Sequence, residues 1–192
     1  ECRMVEKVGV IGAGQMGNGI AHVSVLAGMN VVLSDVSMEK VEAGLEVIKG
    51  NLSRQVGKGK ITAEEMNAAL SRIKLADKLS AHSDCDLVIE AVFELMSIKK
   101  DVFGNLDKVV KKGAILASNT SYLNVDEIAA CTSRPEDVVG LHFFSPANIM
   151  KLLEIVRGEK TSDTVLATSM ALAKKIGKVA VVAGDVIRTC IT

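Results

Sequence analysis

Two ionisable residues stand in surroundings that are otherwise apolar. His142 lies within VVGLHFFSP, and Glu154, twelve positions later, lies within LLEIV. A carboxylate buried without a partner costs several kcal/mol or becomes protonated. Glu154 therefore requires a partner, and the histidine of the neighbouring strand-like run is the natural candidate. Paired, the carboxylate would hold the imidazole in one tautomer and stabilise its protonated form, which equips the histidine as a general base. Unpaired, each is an ordinary structural residue, and spacing alone leaves both readings open. Ser118-Asn119-Thr120-Ser121 follows another apolar run. Polar groups at the carboxyl end of a strand lie where open α/β sheets bind ligands, although the same residue types also serve turns and caps. Glu90 and Glu94 flank the end of DLVIEA, where either could contact a ribose. For Glu94, an acid at a helix N-terminus is the alternative. His22 and His82 lack comparable surroundings and read as structural or exposed. The eight methionines show no cofactor-related spacing and read as fillers of core gaps.

A second chemistry belongs to the backbone. Gly12, Gly14 and Gly17 form G-x-G-x-x-G directly after the apolar run KVGVI and at the start of a helical segment. In that context the first glycine makes a tight turn, the second lets a pyrophosphate approach, and the third packs helix on strand. The amides of Gln15 and Met16 then open a helix whose dipole faces the anion. Asp35 stands eighteen residues beyond Gly17, at the end of the next apolar run. A carboxylate there accepts from a ribose 2′-hydroxyl and repels a 2′-phosphate, which selects NAD over NADP. A glycine-rich turn with a surface aspartate is the bland alternative.

These groups are positioned by β-branched runs that alternate with helical stretches. Strands are expected at residues 7–11, 30–34, 86–91, 114–118, 138–144, 152–156 and 178–183, with helices to about residue 27, across 37–72, at 97–112 and at 164–176. The 37–72 stretch reads as two helices broken near Gly57-Lys58-Gly59, with Thr62 capping the second and Glu65 completing a capping box. Near-continuous apolar strands denote a parallel sheet covered on both faces. The fold class is therefore α/β, a Rossmann-type doubly wound and mostly parallel sheet with an inserted helical pair. Residues 37–79 exceed a minimal crossover and form either a flap beside the site or a crossover helix with a surface excursion.

Composition excludes several functions. The chain has 192 residues, of which 48% are apolar and 24% charged, enough to bury a single core without staples. Lysine plus arginine (23) balances aspartate plus glutamate (23), leaving no basic excess for nucleic acid or an anionic membrane. Aromatics are only 3%, too few for a base-stacking platform. No apolar run is long enough to span a bilayer. The four cysteines (Cys2, Cys85, Cys131, Cys190) lie far apart without ligand spacing, so no metal is expected and a reducing, cytosolic or matrix-like compartment fits.

Taken in order, strand–GAGQMG–helix, Asp35, DLVIEAVFE, ASNTS, GLHFFSP and KLLEIV resemble the NAD-binding domain of L-3-hydroxyacyl-CoA dehydrogenases. The resemblance covers residues 7 to 183 and is closest to bifunctional or multifunctional β-oxidation proteins and bacterial 3-hydroxybutyryl-CoA dehydrogenases. HFFSP followed by LLE is specific to the family; the glycine motif is not. The resemblance implies that His142 is the catalytic histidine, Glu154 its glutamate, and Ser121 the serine that binds the 3-oxygen of the substrate. It places Asn119 beside the nicotinamide, counted with both the catalytic and the cofactor-binding residues. Glu94 and Lys99 match cofactor contacts, and Asn51 and Lys58 fall where the family binds coenzyme A. The implied cofactor is NAD, the implied partner an acyl-CoA, and the implied compartment a bacterial cytoplasm, or alternatively a peroxisome or mitochondrial matrix.

The ends depart from the pattern. Residues 1–6 read as a linker or scar, 7–185 as the NAD-binding domain, and 186–192 as an atypical tail that poorly matches the family's G-F-x-x-N-R-like segment. The expectation is a truncated chain without the helical second domain that completes the cleft and supports dimerisation. Two alternatives to the dehydrogenase stand beside it. One is a catalytically silent NAD(H)-binding module, and the other a β-hydroxyacid dehydrogenase acting on a substrate without CoA.

Overall fold

The computed structural model describes residues 1–184, so Asp185 and the expected tail at 186–192 lie outside it. The chain runs β1 (Lys7–Ile11), α1 (Gln15–Leu26), β2 (Asn30–Ser34), α2 (Met38–Gly57), α3 (Ala63–Ser71) and β3 (Ile73–Ala76). It continues through β4 (Leu87–Glu90), α4 (Met96–Val109), β5 (Ile115–Ser118), α5 (Val125–Ala129), β6 (Val138–Phe143), β7 (Leu152–Arg157), α6 (Asp163–Lys175) and β8 (Val179–Gly184). The eight strands form one sheet in the order β3-β2-β1-β4-β5-β6-β7-β8. Every neighbouring pair is parallel except β6 and β7.

The expected doubly wound sheet is therefore present. Its strands are buried on both faces: all six residues of β6 and all four of β4 and β5 are buried. On one face Ile20, Val25, Ile48 and Leu172 from the helices pack with Val10, Leu33 and Ile155. On the other, Phe103, Leu106 and Ile128 pack with Val88, Leu116 and Val156. The strand order reverses between β1 and β4, which opens a crevice at their carboxyl ends where doubly wound sheets bind ligands.

The inserted pair is α2 and α3. Ser37 caps the first by accepting from Lys40 N, and Thr62 caps the second by accepting from Glu65 N at 3.0 Å. α2 is packed rather than free: Val41, Gly44, Ile48 and Leu52 are buried, and a Cβ at Gly44 would stand 2.6 Å from Ala13 O. The excursion ends its second helix at Ser71, one residue before the expected limit of 72. It leads into β3, a four-residue edge strand that pairs with β2 and is only partly buried, too short and too mixed to show a periodicity of its own. α5, five residues capped by Asn124, was likewise not anticipated.

Candidate active site

β1 ends where the glycine loop begins, and the three glycines meet three different constraints. Gly12 has φ +102°, and an added Cβ would stand 2.5 Å from Ala91 O. At Gly17 a Cβ would fall 1.6 Å from Gly12 O, so helix and loop touch backbone to backbone. Around Gly14 nothing among the described residues lies within 4 Å of an added Cβ. That open space stands at the N-terminus of α1, which has no side-chain cap and no acidic residue in its first turn. The first-turn N–H groups, including those of Gln15 and Met16, are therefore free to take an anion. Asp35 accepts from Ala13 N at 2.8 Å and from Val36 N at 2.7 Å, which ties it to the loop. Each of its oxygens retains acceptor capacity for a ribose hydroxyl. The cradle fits a dinucleotide.

The side-chain half of the site comes from β4, β5, β6 and β7. His142 and Glu154 are directly opposite residues in the antiparallel β6–β7 pair. His142 Nδ1 stands 3.6 Å from Glu154 Oε1, an ion-pair separation just beyond a hydrogen bond, and has no hydrogen-bond partner among the described residues. Glu154 is less enclosed than its apolar neighbours suggested: its side chain is 20% exposed, against 10% for His142. It is partly exposed instead of lying in the core. The imidazole packs on Phe144, with ring centres 4.4 Å apart.

Asn119 Oδ1 accepts from Phe143 N at 2.8 Å, which joins the end of β5 to β6 beside the histidine. Glu94 accepts from the amide and the hydroxyl of Ser121, at 2.7 and 2.9 Å, while Tyr122 donates to Glu94 O. Burial works to raise the Glu94 pKa. The Ser121 amide, the Thr120 hydroxyl, the Lys99 ammonium and the Ser121 hydroxyl outweigh it and hold the carboxyl below its ordinary range. Glu94 thus fastens the Ser121 loop rather than capping α4, whose N-cap is Leu95.

Two expectations need correction. Glu90 is fully buried and cannot reach a ribose: it accepts from Lys99 Nζ at 2.7 Å, Val92 N at 2.8 Å and Ser118 Oγ at 2.6 Å. Lys99, expected among the cofactor contacts, is 1% exposed and stands behind the site, 3.4 Å from Glu94 Oε1. Sequence reasoning missed this buried cluster, although a glutamate closing the apolar run DLVIE was a signal for it. His22 and His82 are both buried, so of the two readings offered for them the structural one holds.

Met16, Glu94, Asn119, Ser121, His142, Phe144 and Ser145 line one cleft of 310 Å³. Gln15 closes it by donating to Ser145 Oγ at 3.1 Å. Met16 of the glycine-loop helix and His142 therefore share a cavity, and Glu154 stands opposite His142 on β7. A larger hollow of 440 Å³ between residues 157–159 and 182–184 holds none of the candidate residues. Asn51 and Lys58 are not brought into the cleft lining. Asn51 Oδ1 accepts from Arg54, and Lys58 is the exposed C-cap of α2.

A sheet with a dinucleotide cradle at its reversal point, and a histidine that lines the adjoining cleft and faces a carboxylate on the next strand, defines a Rossmann domain of the dehydrogenase type. Residues 7–186 match the family described as "3-hydroxyacyl-CoA dehydrogenase, NAD binding domain", and the chain belongs to that family. It is 48% identical over 182 residues to a 3-hydroxybutyryl-CoA dehydrogenase of Bradyrhizobium diazoefficiens, covering 95% of this chain and 62% of that protein. It is 42% identical over 185 residues to a peroxisomal fatty acid beta-oxidation multifunctional protein of Arabidopsis thaliana, covering 96% of this chain and 26% of the other. The crystal structure of a (S)-3-hydroxybutyryl-CoA dehydrogenase from Ralstonia eutropha superposes with a TM-score of 0.93 at 38% identity, over 95% of this chain and 64% of that one. The chain thus spans about 62% of the first of these relatives. The cofactor of this domain family is NAD, and the cradle around Gly14 suits it. No helix among the described residues is long and apolar enough to cross a membrane.

Proposed function

We propose that this domain carries the NAD-dependent oxidation of an L-3-hydroxyacyl-CoA to the 3-ketoacyl-CoA, and the reverse reduction, in fatty-acid β-oxidation or short-chain acyl-CoA metabolism. The observation that carries the reading is the opposition of His142 and Glu154 on adjacent strands, with His142 lining the cleft that Met16 of the glycine-loop helix also lines. Gly12, Gly14, Gln15, Met16, Gly17 and Asp35 hold the cofactor, with Glu94 and Asn119 at the cleft end. NAD, when bound, supplies the hydride acceptor. His142 presents Nε2 to the 3-hydroxyl and takes its proton, since Nδ1 faces Glu154. Glu154 then stabilises the imidazolium, and Ser121 holds the oxygen. For the ketone the same imidazolium returns the proton. General base catalysis of this kind contributes about 10²–10⁴-fold.

Lys58 and Asn51 are the candidates for the polar groups of coenzyme A, Lys58 as an exposed cation suited to phosphate. The relatives' additional length, read as a helical domain, would complete the acyl pocket and carry dimerisation. A reducing compartment, the cytoplasm if the source is bacterial, suits the free thiols of Cys2, Cys85 and Cys131.

The test is oxidation of NADH by the 192-residue chain with acetoacetyl-CoA, against His142→Ala. Turnover that falls about 10²-fold or more in the variant, with NADH affinity kept, is the expected result. Absent turnover with NADH binding intact would make the chain a silent binding module. Equal turnover of acetoacetate and acetoacetyl-CoA would replace the CoA ester with a free acid.

A further inference from the structure

Lys178 stands immediately before β8 and is half-buried, yet its charge meets no carboxylate among the described residues. It donates instead to two carbonyls of a single turn, Ala147 O and Met150 O, each at 2.5 Å. The ammonium also stands 5.9 Å from the ring centre of Phe143, the residue after His142. Burial, and after it the charge of Lys151, push its pKa down. A cation kept in such a place against its desolvation cost has a geometric task.

The turn it grips is the connection between β6 and β7. Inside that connection, Ile149 N and Met150 N donate to Pro146 O at 3.0 and 2.9 Å. Ala147 is 1% exposed and rests on α1 at Gly19, where a Cβ would come within 2.9 Å of Ala147 Cβ. Ser145 is held from the other side by Gln15. A two-residue hairpin loop fixes register by itself, but a connection covering residues 144–151 does not and needs contacts from outside. A one-residue slip between β6 and β7 would turn one member of the His142–Glu154 pair to the opposite face of the sheet.

We propose that Lys178 is a positioning residue: by holding Ala147 and Met150 it fixes the β6–β7 connection, and through it the facing of His142 toward Glu154. The inference rests on the pairing of those two residues in the proposed function. It assigns Lys178 no contact with substrate or cofactor.

The experiment reads the His142 ring directly. In ¹⁵N-labelled full chain at alkaline pH, the two ring-nitrogen shifts report which nitrogen carries the proton. Only three histidines are present, and His22 and His82 are buried elsewhere, so His142 can be assigned. The proton is expected on Nδ1, facing Glu154, and Glu154→Ala is expected to move it to Nε2. Lys178→Met should produce at least half of that change and Lys178→Arg should restore the original state, because a guanidinium can again bridge two carbonyls. Gly19→Ala, which presses on Ala147 from α1, should shift the tautomer in the same direction. It decides the matter if Lys178→Met fails to fold. Wild-type tautomer populations in Lys178→Met and Gly19→Ala, with Glu154→Ala shifted, would overturn the clamp and leave the pairing intact. No shift in Glu154→Ala would overturn the pairing, and the clamp with it.

Discussion

The two halves of the cleft are built in opposite ways. The glycine-loop half uses backbone, and its parts are close in sequence: Gly12, Gly14, Gly17 and Asp35 all belong to β1, α1 and β2 or their junctions. The His142 half uses side chains held by hydrogen bonds that cross from one element or loop to another. Asn119 reaches Phe143, Ser121 reaches Glu94, Ser118 and Lys99 reach Glu90, and Lys178 reaches Ala147. A backbone site is made by excluding side chains, so its failures are steric. A side-chain site is made by satisfying polar groups, so its failures come from leaving one of them unpaired.

The largest effect should come from the side-chain half. Replacing Lys99 by Met leaves the Glu90 carboxylate, fully buried, without its cation and keeps only Val92 N and Ser118 Oγ as donors. Breaking such a pair costs about 3–5 kcal/mol, read as a lowered urea midpoint. The double variant Lys99→Met with Glu90→Gln should recover part of the loss, because the uncompensated charge is then gone. An unchanged midpoint in the single variant would mean that the buried Glu90 carboxylate does not depend on the Lys99 cation.

Next comes an acid-labile element under the backbone half. His82 is buried beneath β1 and β2, with Nε2 2.7 Å from Ser34 Oγ, and a Cβ at Gly9 would stand 2.3 Å from its Nδ1. Burial chiefly, with the charge of Lys7, lowers its pKa to about 4 against an opposing pull from Asp84. The unfolded chain binds this proton near the ordinary value of 6.5 and the folded chain does not until about 4. Stability from this group is therefore complete above pH 6.5 and is lost as pH falls toward 4, by roughly 3 kcal/mol in all. Urea unfolding at pH 7.5 and pH 4.5 should show the loss, and His82→Gln should flatten it. An equal loss in the variant would assign the acid sensitivity to other groups.

The same contrast explains what could be read from sequence. Gly12, Gly14, Gly17 and Asp35 were legible because a backbone site depends on residue type at fixed local spacing. His142 and Glu154 were singled out because polar residues interrupt apolar runs, yet their opposition depends on an antiparallel register that spacing does not encode. The Glu90–Lys99 pair was misread because nothing local says that a glutamate at a strand end is covered by a lysine one helix turn into α4. β3 escaped notice because IKLA becomes a strand only through pairing with β2. Lys178 carried no signal at all, since its two acceptors are backbone carbonyls thirty-one and twenty-eight residues away.

The smallest predicted effects divide the backbone half within itself. Gly17→Ala forces a methyl to within 1.6 Å of Gly12 O, where backbone must move, and should cost about 1–3 kcal/mol of stability. Gly14→Ala meets nothing within 4 Å and should leave stability within about 0.5 kcal/mol. Its methyl nevertheless projects into the space proposed for the pyrophosphate, so NADH affinity measured by fluorescence titration should fall about tenfold or more, equivalent to about 1.4 kcal/mol. The two variants thus separate the glycine that lets the domain fold from the glycine that lets the cofactor approach. Unchanged NADH affinity in a folded Gly14→Ala chain would remove the pyrophosphate from this cradle. The dehydrogenase reading would then have to rest on the His142 half alone.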